Sequence, residues 1–426
     1  MKAILHIGSP KTGTSTIQIF LERNRQSLKK QGIVIPSGVY YAEHNAYFAV
    51  HHKLAAATYL PEVRGKCPQF LSYAGLEEDF PSFENGLTPE DQDKLWENYR
   101  REIETNCRKD DLVIFSDEMQ FFFHENEVIR VKELLDSLFD DVTIILYLRR
   151  QPELLVSLYN TYCQVGIPWN IFNLLRCTPE LNYDQVVKRW SIFGKDKLKI
   201  RLFDKQEFHN NDLLSDFSHT IGFDLTGLEC VENKNETLLT SVEIEFLRLL
   251  NSHIPNLPGP YTLNSSRHQL MQFFLSYRQK NCEKKKKAYH LNRNEVQRIL
   301  DQFREGNDWI AREYLGREKL FDDDVSMYPE EVDSPHGLTL EKCAEITAHL
   351  WKEQCNAIRQ LLSEKDACVT EIQLLKRMNS IYWHYYRCKI LSKLTFGKKR
   401  KHYKVKRDMF HELIRQIRSL YKLQQQ

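Results

Sequence analysis

The chain has 426 residues, enough for one large domain with an accessory region or for two domains. An apolar share of 42% and an aromatic share of 12% exclude a disordered chain and predict a packed core. The formal net charge of +2 excludes a global positive field for nucleic acid, so any basic signal has to be local.

The ten cysteines are scattered and form no C-x-x-C pair, which argues against a zinc ribbon and a redox motif. The apolar start is too short for a signal peptide, and no stretch approaches the roughly 18 apolar residues that would span a bilayer. From this pattern we expect a cytoplasmic protein with reduced thiols.

Five short apolar runs predict buried β-strands, and helical patterns lie between them. The runs are 3–7, 32–36, 111–118, 142–150 and 197–204. Strands that alternate with helices predict an α/β fold of three layers, in which helices cover both faces of a central parallel sheet. Ligands bind beyond the carboxyl ends of such strands, so we expect the polar residues after the first, third and fourth strands to converge on one crevice.

The C-terminal part of the chain is predicted to be helical. Residues from about 235 to 320 have helical patterns, and the acidic stretch 322–337 carries two prolines, which predicts a linker. Beyond it, amphipathic helices end in a basic tail. The expected division is a main domain over 1–321, a linker over 322–337 and a helical, basic region over 338–426.

Residues 8–15, GSPKTGTS, connect the first strand to a predicted helix that begins at Thr14. A strand, a tight glycine turn and a helix start bring free backbone N–H groups and the helix dipole to one point, which attracts anions. A Walker A loop has its lysine directly after the second glycine, but here Thr14 follows Gly13 and the lysine is Lys11. An ordinary capped turn between a strand and a helix is the alternative.

The string PKTGTST resembles the 5′-phosphosulfate-binding loop of sulfotransferases that use 3′-phosphoadenosine 5′-phosphosulfate (PAPS), whose usual form is K-[STA]-G-T-[ST]. The resemblance implies that Lys11 interacts with the bridging oxygen and the 5′-phosphate of the donor. It also implies that backbone amides and hydroxyls cradle the phosphosulfate, from Thr12, Gly13, Thr14, Ser15 and Thr16. No metal is expected, and the product would be 3′-phosphoadenosine 5′-phosphate (PAP).

A second motif lies at the end of the fourth strand, in YLRRQPELLVSLY. The same family binds the 3′-phosphate with an arginine at the end of a central strand and a serine eight positions later, a spacing that Arg149 and Ser157 meet. Arg150 competes for this role, because successive strand residues point to opposite faces and only one of the two arginines should face the crevice. Ordinary charges at a strand end are the alternative.

Sulfuryl transfer to a hydroxyl needs in-line geometry, stabilisation of the departing phosphate oxygen and removal of the acceptor's proton. Lys11 suits the second task, and family members use a His or Glu for the third. The candidates for the base are His44, His52 and Glu118. His51 and Asp117 stay open, since each histidine can instead be structural and the carboxylates can cap the next helix.

Residues 1–320 resemble the bacterial branch of the sulfotransferases, which implies a glycan or glycolipid acceptor, and Trp169 is a candidate for stacking on a sugar. The basic tail interleaves charge with Trp383, Tyr385 and Phe396, which predicts peripheral contact with anionic lipid at the inner membrane face. A solvated helical extension is the alternative, and no nucleic acid partner is expected.

Near-helical spacing of apolar residues before the tail predicts a homodimer through these helices, at Ile346, Leu350, Ile358, Leu361 and Leu362. Taken together, the sequence resembles a PAPS-dependent sulfotransferase with a P-loop-like fold. Two alternatives stay open, a P-loop kinase that binds Mg-ATP and a non-catalytic nucleotide-binding scaffold.

Overall fold

The computed structural model describes most of the chain and divides it into two compact units, Met1–Thr339 and Leu340–Gln426. The described residues are 1–41, 46–64, 86–231, 239–253, 273–274, 290–332, 338–352, 355–356, 358–363, 384, 387, 389, 401–402, 404–409, 411–412 and 414–415.

The first unit is built on a parallel sheet of five strands, which confirms the predicted α/β fold class. Its strands are Lys2–His6 (β1), Ile33–Val34 (β2), Leu112–Ser116 (β5), Asp141–Leu148 (β6) and Leu198–Leu202 (β7). Each of them coincides closely with one of the apolar runs that predicted it. They are apolar almost throughout because helices cover both faces of a parallel sheet.

A short antiparallel hairpin, Val39–Tyr41 (β3) with Ala46–Phe48 (β4), lies outside this sheet and was not predicted. In the described part of the chain, the α-helices include Thr14–Arg23 (α1), Arg25–Lys30 (α2), His52–Thr58 (α3), Pro61–Arg64 (α4), Pro89–Asn106 (α5), Glu125–Asp136 (α6), Gln151–Gln164 (α7), Ile171–Cys177 (α8), Tyr183–Trp190 (α9), Leu213–Ile221 (α10), Ser241–His253 (α11) and Arg293–Ile310 (α12). A π-helical turn, Ala311–Leu315, continues α12.

The strand order β2-β5-β1-β6-β7 places β1 in the centre of the sheet. The last residue of β1, His6, lies opposite Ser116 of β5 on one side and Ile145 of β6 on the other. The chain after β1 therefore emerges between the carboxyl ends of two neighbours, the position at which sheets of this kind bind ligands.

A hydrophobic core fixes α1 and α10 against the sheet. Ile17 and Phe20 of α1 are buried in the same cluster as Phe217 of α10 and the strand residues Ile4 and Ile145. Because α1 is anchored along its apolar face, the loop before it is held at a fixed place above the end of β1.

The acidic stretch predicted as a linker belongs to the first unit and, where the structure describes it, packs against other parts of that unit. The Arg150 guanidinium donates to the backbone carbonyl oxygens of Asp322 at 2.9 Å and Asp324 at 2.8 Å. Arg304 forms an ion pair of 2.9 Å with Asp323. The predicted boundaries of the domains stay predictions.

In the second unit, residues 340–352 and 358–363 are helical. Of the apolar residues predicted to pair two chains, Ile346 is buried while Ile358 and Leu361 are exposed. The tail aromatics Trp383, Tyr385 and Phe396 lie outside the described residues. Within the described part of the chain, every helix is too short or too polar to cross a membrane.

Candidate active site

The loop between β1 and α1 turns on two residues in the left-handed region, Lys11 with a φ of 65° and Gly13 with a φ of 76°. Gly13 is the N-cap of α1. The Thr12 hydroxyl between them is buried and donates to the Ser9 carbonyl at 2.5 Å. A left-handed lysine costs about 1–2 kcal/mol relative to ordinary backbone, and strain of this kind concentrates at functional sites.

Close packing around the loop explains both of its glycines. A Cβ atom on Gly13 would lie 2.3 Å from Leu213 Cδ2, and one on Gly8 would lie 2.7 Å from Thr14 Cγ2 and 2.9 Å from His6 Nε2. At separations below 3 Å the neighbouring side chains would have to move, so the loop approaches them this closely because residues 8 and 13 are glycines.

Arg149 reaches this loop from the end of β6. Its Nη1 donates to the Lys11 carbonyl oxygen at 3.0 Å, and its guanidinium carbon lies 5.6 Å from the centre of the Phe203 ring. Burial lowers the pKa of Arg149. The Tyr183 hydroxyl donates to the Arg149 carbonyl at 2.6 Å, which fixes the backbone from which the guanidinium projects.

Arg150 points elsewhere. Besides the two carbonyls of the acidic stretch, its guanidinium pairs with Glu153 at 2.6 Å. Ser157 lies half-buried on α7, and among the described residues neither Arg149 nor the loop forms a hydrogen bond with it. The structure thus brings Arg149 to the loop and directs Arg150 to the acidic stretch.

Glu118 follows β5 and faces the same region. Its Oε2 accepts a hydrogen bond of 2.6 Å from Nε2 of the buried Gln18. Burial and the neighbouring Arg149 lower the pKa of Lys11, whereas Glu118 acts on that pKa in the opposite direction. Part of the Lys11 side chain is open to solvent, while the protein around its ammonium is dense enough for desolvation to lower its pKa.

His52 and Asp117 form a buried pair in which His52 Nδ1 lies 2.9 Å from Asp117 Oδ1. The side chain of His52 is only 5% exposed. Burial by itself lowers the pKa of His52, but Asp117 and Glu118 outweigh it and raise that pKa above its usual value. The same Oδ1 accepts from Met119 N at 3.0 Å, so Asp117 also caps the helical turn, as the capping alternative predicted.

Both ring nitrogens of His51 form hydrogen bonds with backbone groups, which indicates a structural role. The Ser116 N–H donates to His51 Nδ1 at 2.9 Å, and the ring's Nε2 lies 3.1 Å from the Pro36 carbonyl. A neutral imidazole that accepts at Nδ1 carries its proton on Nε2, which then donates to that carbonyl. Burial lowers the pKa of His51 to about 4. The remaining candidate, His44, lies outside the described residues.

Three residues near the loop were missed at the level of sequence. Phe203 follows β7, and its ring lies beside Arg149; a Cβ atom on Gly13 would lie 3.1 Å from Phe203 Cε2. His6 is fully buried below Gly8, and burial lowers its pKa to about 3. Gln18 carried one available signal, since it follows Thr14 by one helical turn on the buried face of a helix that starts at the loop.

A metal site is not apparent in the part of the chain that the structure describes, where no three His, Cys, Asp or Glu side chains cluster around one point. The positively charged groups that converge on the loop, Lys11 and Arg149, are instead suited to an anion. The arrangement can hold two anionic groups and has carboxylate and imidazole groups nearby.

Comparison with protein-family models gave no match. An uncharacterized protein of Archaeoglobus fulgidus is 22% identical over 227 residues, which are 52% of this chain and 60% of the length of that relative. Among solved structures, a sulfotransferase from Alicyclobacillus acidocaldarius is similar with a TM-score of 0.32 and 16% identity, over 60% of this chain and 92% of that one. A sulfotransferase domain from the curacin biosynthetic pathway has a TM-score of 0.32 and 14% identity, over 65% of this chain and 97% of that one.

Proposed function

We propose that this chain transfers a sulfuryl group from PAPS to a hydroxyl or amine of a glycan or glycolipid and releases PAP. The observation that carries the proposal is the hydrogen bond from Arg149 to the Lys11 carbonyl. It joins a left-handed, glycine-containing anion loop to a second cationic group at the carboxyl ends of two adjacent strands. PAP and PAPS carry two separated anionic groups, which this pairing suits.

In this proposal the loop binds the 5′-phosphosulfate. Lys11 and Ser15 are exposed and would reach the ligand with their side chains, whereas Thr12, Thr14 and Thr16 are buried. Because the Thr12 hydroxyl already donates to Ser9, we assign its part to the backbone N–H. Gly13 would contribute in the same way, at the start of α1.

The 3′-phosphate is assigned to Arg149 together with Ser157. Phe203 supports this placement, because it lies beside Arg149 and also lines a cavity of about 420 Å³. Charged residues of both signs line the cavity as well: Arg150, Arg317, Lys319, Asp204, Glu207, Asp322 and Asp323. A cavity with an aromatic wall beside Arg149 offers room for the nucleoside that joins the two phosphates.

The proposed step is an in-line displacement at sulfur. The acceptor oxygen or nitrogen forms a bond to sulfur while the bond from sulfur to the 5′-phosphate oxygen breaks, and PAP carries away that electron pair. Lys11 stabilises the charge that develops on the leaving oxygen. The proton of the acceptor passes to a base, for which His44, His52 and Glu118 remain the candidates.

The His52–Asp117 pair fits the task of a base in one respect. When Nδ1–H donates a hydrogen bond to Asp117, the neutral imidazole has its basic lone pair on Nε2. Glu118 lies within electrostatic range of both His52 and Lys11. A carboxylate there is able to take the proton directly or to stabilise the imidazolium that forms.

We further propose that the basic C-terminal tail places the enzyme at an anionic membrane surface and that the exposed apolar residues of the second unit pair two chains. Ile358 and Leu361, both more than half exposed, support the second proposal. Both fit an acceptor of glycolipid type at the inner face of the membrane.

The proposed function is tested by incubating the protein with PAPS labelled with ³⁵S and a polar lipid and glycan extract of the cells that make it. We expect label to enter the lipid or glycan fraction and PAP to accumulate in equal amount. Reactions with γ-labelled Mg-ATP are the comparison. Transfer from ATP alone would instead identify a kinase.

A further inference from the structure

We propose that Gln18 is a positioning residue that fixes the orientation of the Glu118 carboxylate in the candidate active site. No catalytic or binding role was expected for Gln18 from the sequence. For its catalytic meaning this inference rests on the proposed function, but the contacts themselves do not depend on it.

The contacts of Gln18 are buried and directional. The residue is 1% exposed, and its Nε2 donates to Glu118 Oε2 at 2.6 Å and to Ser116 Oγ at 3.3 Å. An amide nitrogen is a donor and never an acceptor, so Glu118 Oε2 must accept. The hydrogen bond therefore fixes where this carboxylate oxygen lies relative to α1.

Ser116 fixes the other side of the Gln18 amide. Its Oγ lies 2.9 Å from Nδ1 of the buried His6, whose ring is packed edge-on against Tyr147 and Phe217. The hydroxyl oxygen has two lone pairs, so Ser116 Oγ accepts from Gln18 in either tautomer of His6. These contacts fix the Gln18 amide relative to the end of β5 and orient its nitrogen toward Glu118.

Several elements of the fold contribute charged or titratable groups to the region around Glu118. Lys11 lies in the loop, where Arg149, the residue after β6, binds its carbonyl, and His52 lies on α3 with its partner Asp117. Glu118 opposes the loss of the Lys11 proton that burial and Arg149 favour. If the Glu118 carboxylate turned away, the pKa of Lys11 would fall, and less of the ammonium that stabilises the leaving group would be present.

The test is the titration of the Lys11 ammonium, followed by NMR of the ¹³C-dimethylated protein and assigned with Lys11→Arg. We expect Gln18→Met to lower the pKa of Lys11 in the same direction as Glu118→Gln, and the double variant to add little to either. Asn24→Ala is the matched control. It removes a buried amide at the far end of α1, where Nδ2 donates to the Phe20 carbonyl at 2.9 Å, and should leave Lys11 unchanged.

Kinetics give a second readout. Gln18→Met should lower kcat about 10- to 100-fold, the loss expected for a hydrogen bond to a charged group, with little change in the KM for PAPS. Because the pKa of Lys11 is expected to fall, the activity of this variant should also decline at a lower pH on the alkaline side of its profile. If Gln18→Met folds poorly, Gln18→Asn withdraws the same amide by one methylene and should shift Lys11 in the same direction.

A Lys11 titration that moves in Glu118→Gln but not in Gln18→Met or Gln18→Asn would overturn the inference. Failure of the proposed function looks different. In that case wild-type protein would not bind PAP, while the Lys11 titrations would still report whether Gln18 acts through Glu118.

Discussion

Arg149 donates a hydrogen bond of 3.0 Å to the backbone carbonyl of Lys11, across 138 positions of sequence. The residue assigned to the 3′-phosphate thus also holds the backbone of the residue assigned to the 5′-phosphosulfate. Because Lys11 has a left-handed backbone, this contact helps to retain a conformation that the residue would not adopt on its own. In the proposed function, this contact would couple the two halves of the donor site.

Arg149→Ala should weaken the binding of PAP about 10- to 100-fold, since a charged hydrogen-bonding partner of the 3′-phosphate is lost. AMP lacks the 3′-phosphate, so its affinity should fall less. We still expect some loss for AMP, because the loop loses its contact at the Lys11 carbonyl. Isothermal titration of both ligands measures the two effects.

Arg150→Ala is the matched control for Arg149→Ala. It removes the contacts with the acidic stretch and Glu153, so it should lower the melting temperature while keeping the preference for PAP over AMP. An Arg150 variant that loses this preference, beside an Arg149 variant that keeps it, would reverse the assignment.

Lys11→Gly should abolish transfer and leave the protein folded. Glycine adopts the left-handed backbone at position 11 without steric cost, so we expect a free energy of unfolding within about 1 kcal/mol of wild type. Urea denaturation and turnover of PAPS are measured side by side. Normal turnover in this variant would remove Lys11 from the reaction.

Gly13→Ala should be strongly destabilising, because its Cβ would lie 2.3 Å from Leu213 Cδ2 and the backbone has a positive φ. Strain and overpacking each cost about 1–3 kcal/mol. Gly222 separates the two causes, since its φ is 92° but nothing lies within 4 Å of the point that a Cβ atom would occupy there. In urea denaturation, equal losses for Gly13→Ala and Gly222→Ala would contradict the close packing of the loop.

If His52 is the base, activity should rise with pH through a pKa above 6.5, because Asp117 and Glu118 raise that pKa and only the neutral ring accepts a proton. Asp117→Asn should move this rise to lower pH, since burial then dominates. A raised pKa also stabilises the fold below pH 6.5, a contribution lost as pH rises through the folded pKa. The pH profile of kcat/KM decides the point, and an unchanged profile in His52→Gln would exclude this histidine.

The sheet was predictable because its strands are short apolar runs between helical patterns, as in AILHI and VTIILYLRR. The β3–β4 hairpin was not, since the polar, tyrosine- and histidine-rich stretch around it carries neither an apolar alternation nor an Asn-Gly or Asp-Gly turn. Lys11 and Arg149 became candidates because two motifs resemble those of sulfotransferases. Each motif lies within a single segment of the chain, so it can be recognised without knowing the fold.

Contacts between distant segments were not predictable in the same way. Gln18 meets Glu118, and His6 meets Ser116, only because β5 lies next to β1 in the sheet. Phe203 reaches Arg149 because β7 lies next to β6. A sequence pattern states which residues end each strand but leaves the order of the strands open, and that order decides which side chains touch.

Isothermal titration of the wild-type protein with PAP, AMP and Mg-ATP tests the central claim most directly. We predict that PAP binds at least about 10-fold more tightly than AMP, without magnesium, because the 3′-phosphate meets a charged partner. Equal affinities for PAP and AMP, or binding that is confined to Mg-ATP, would contradict it.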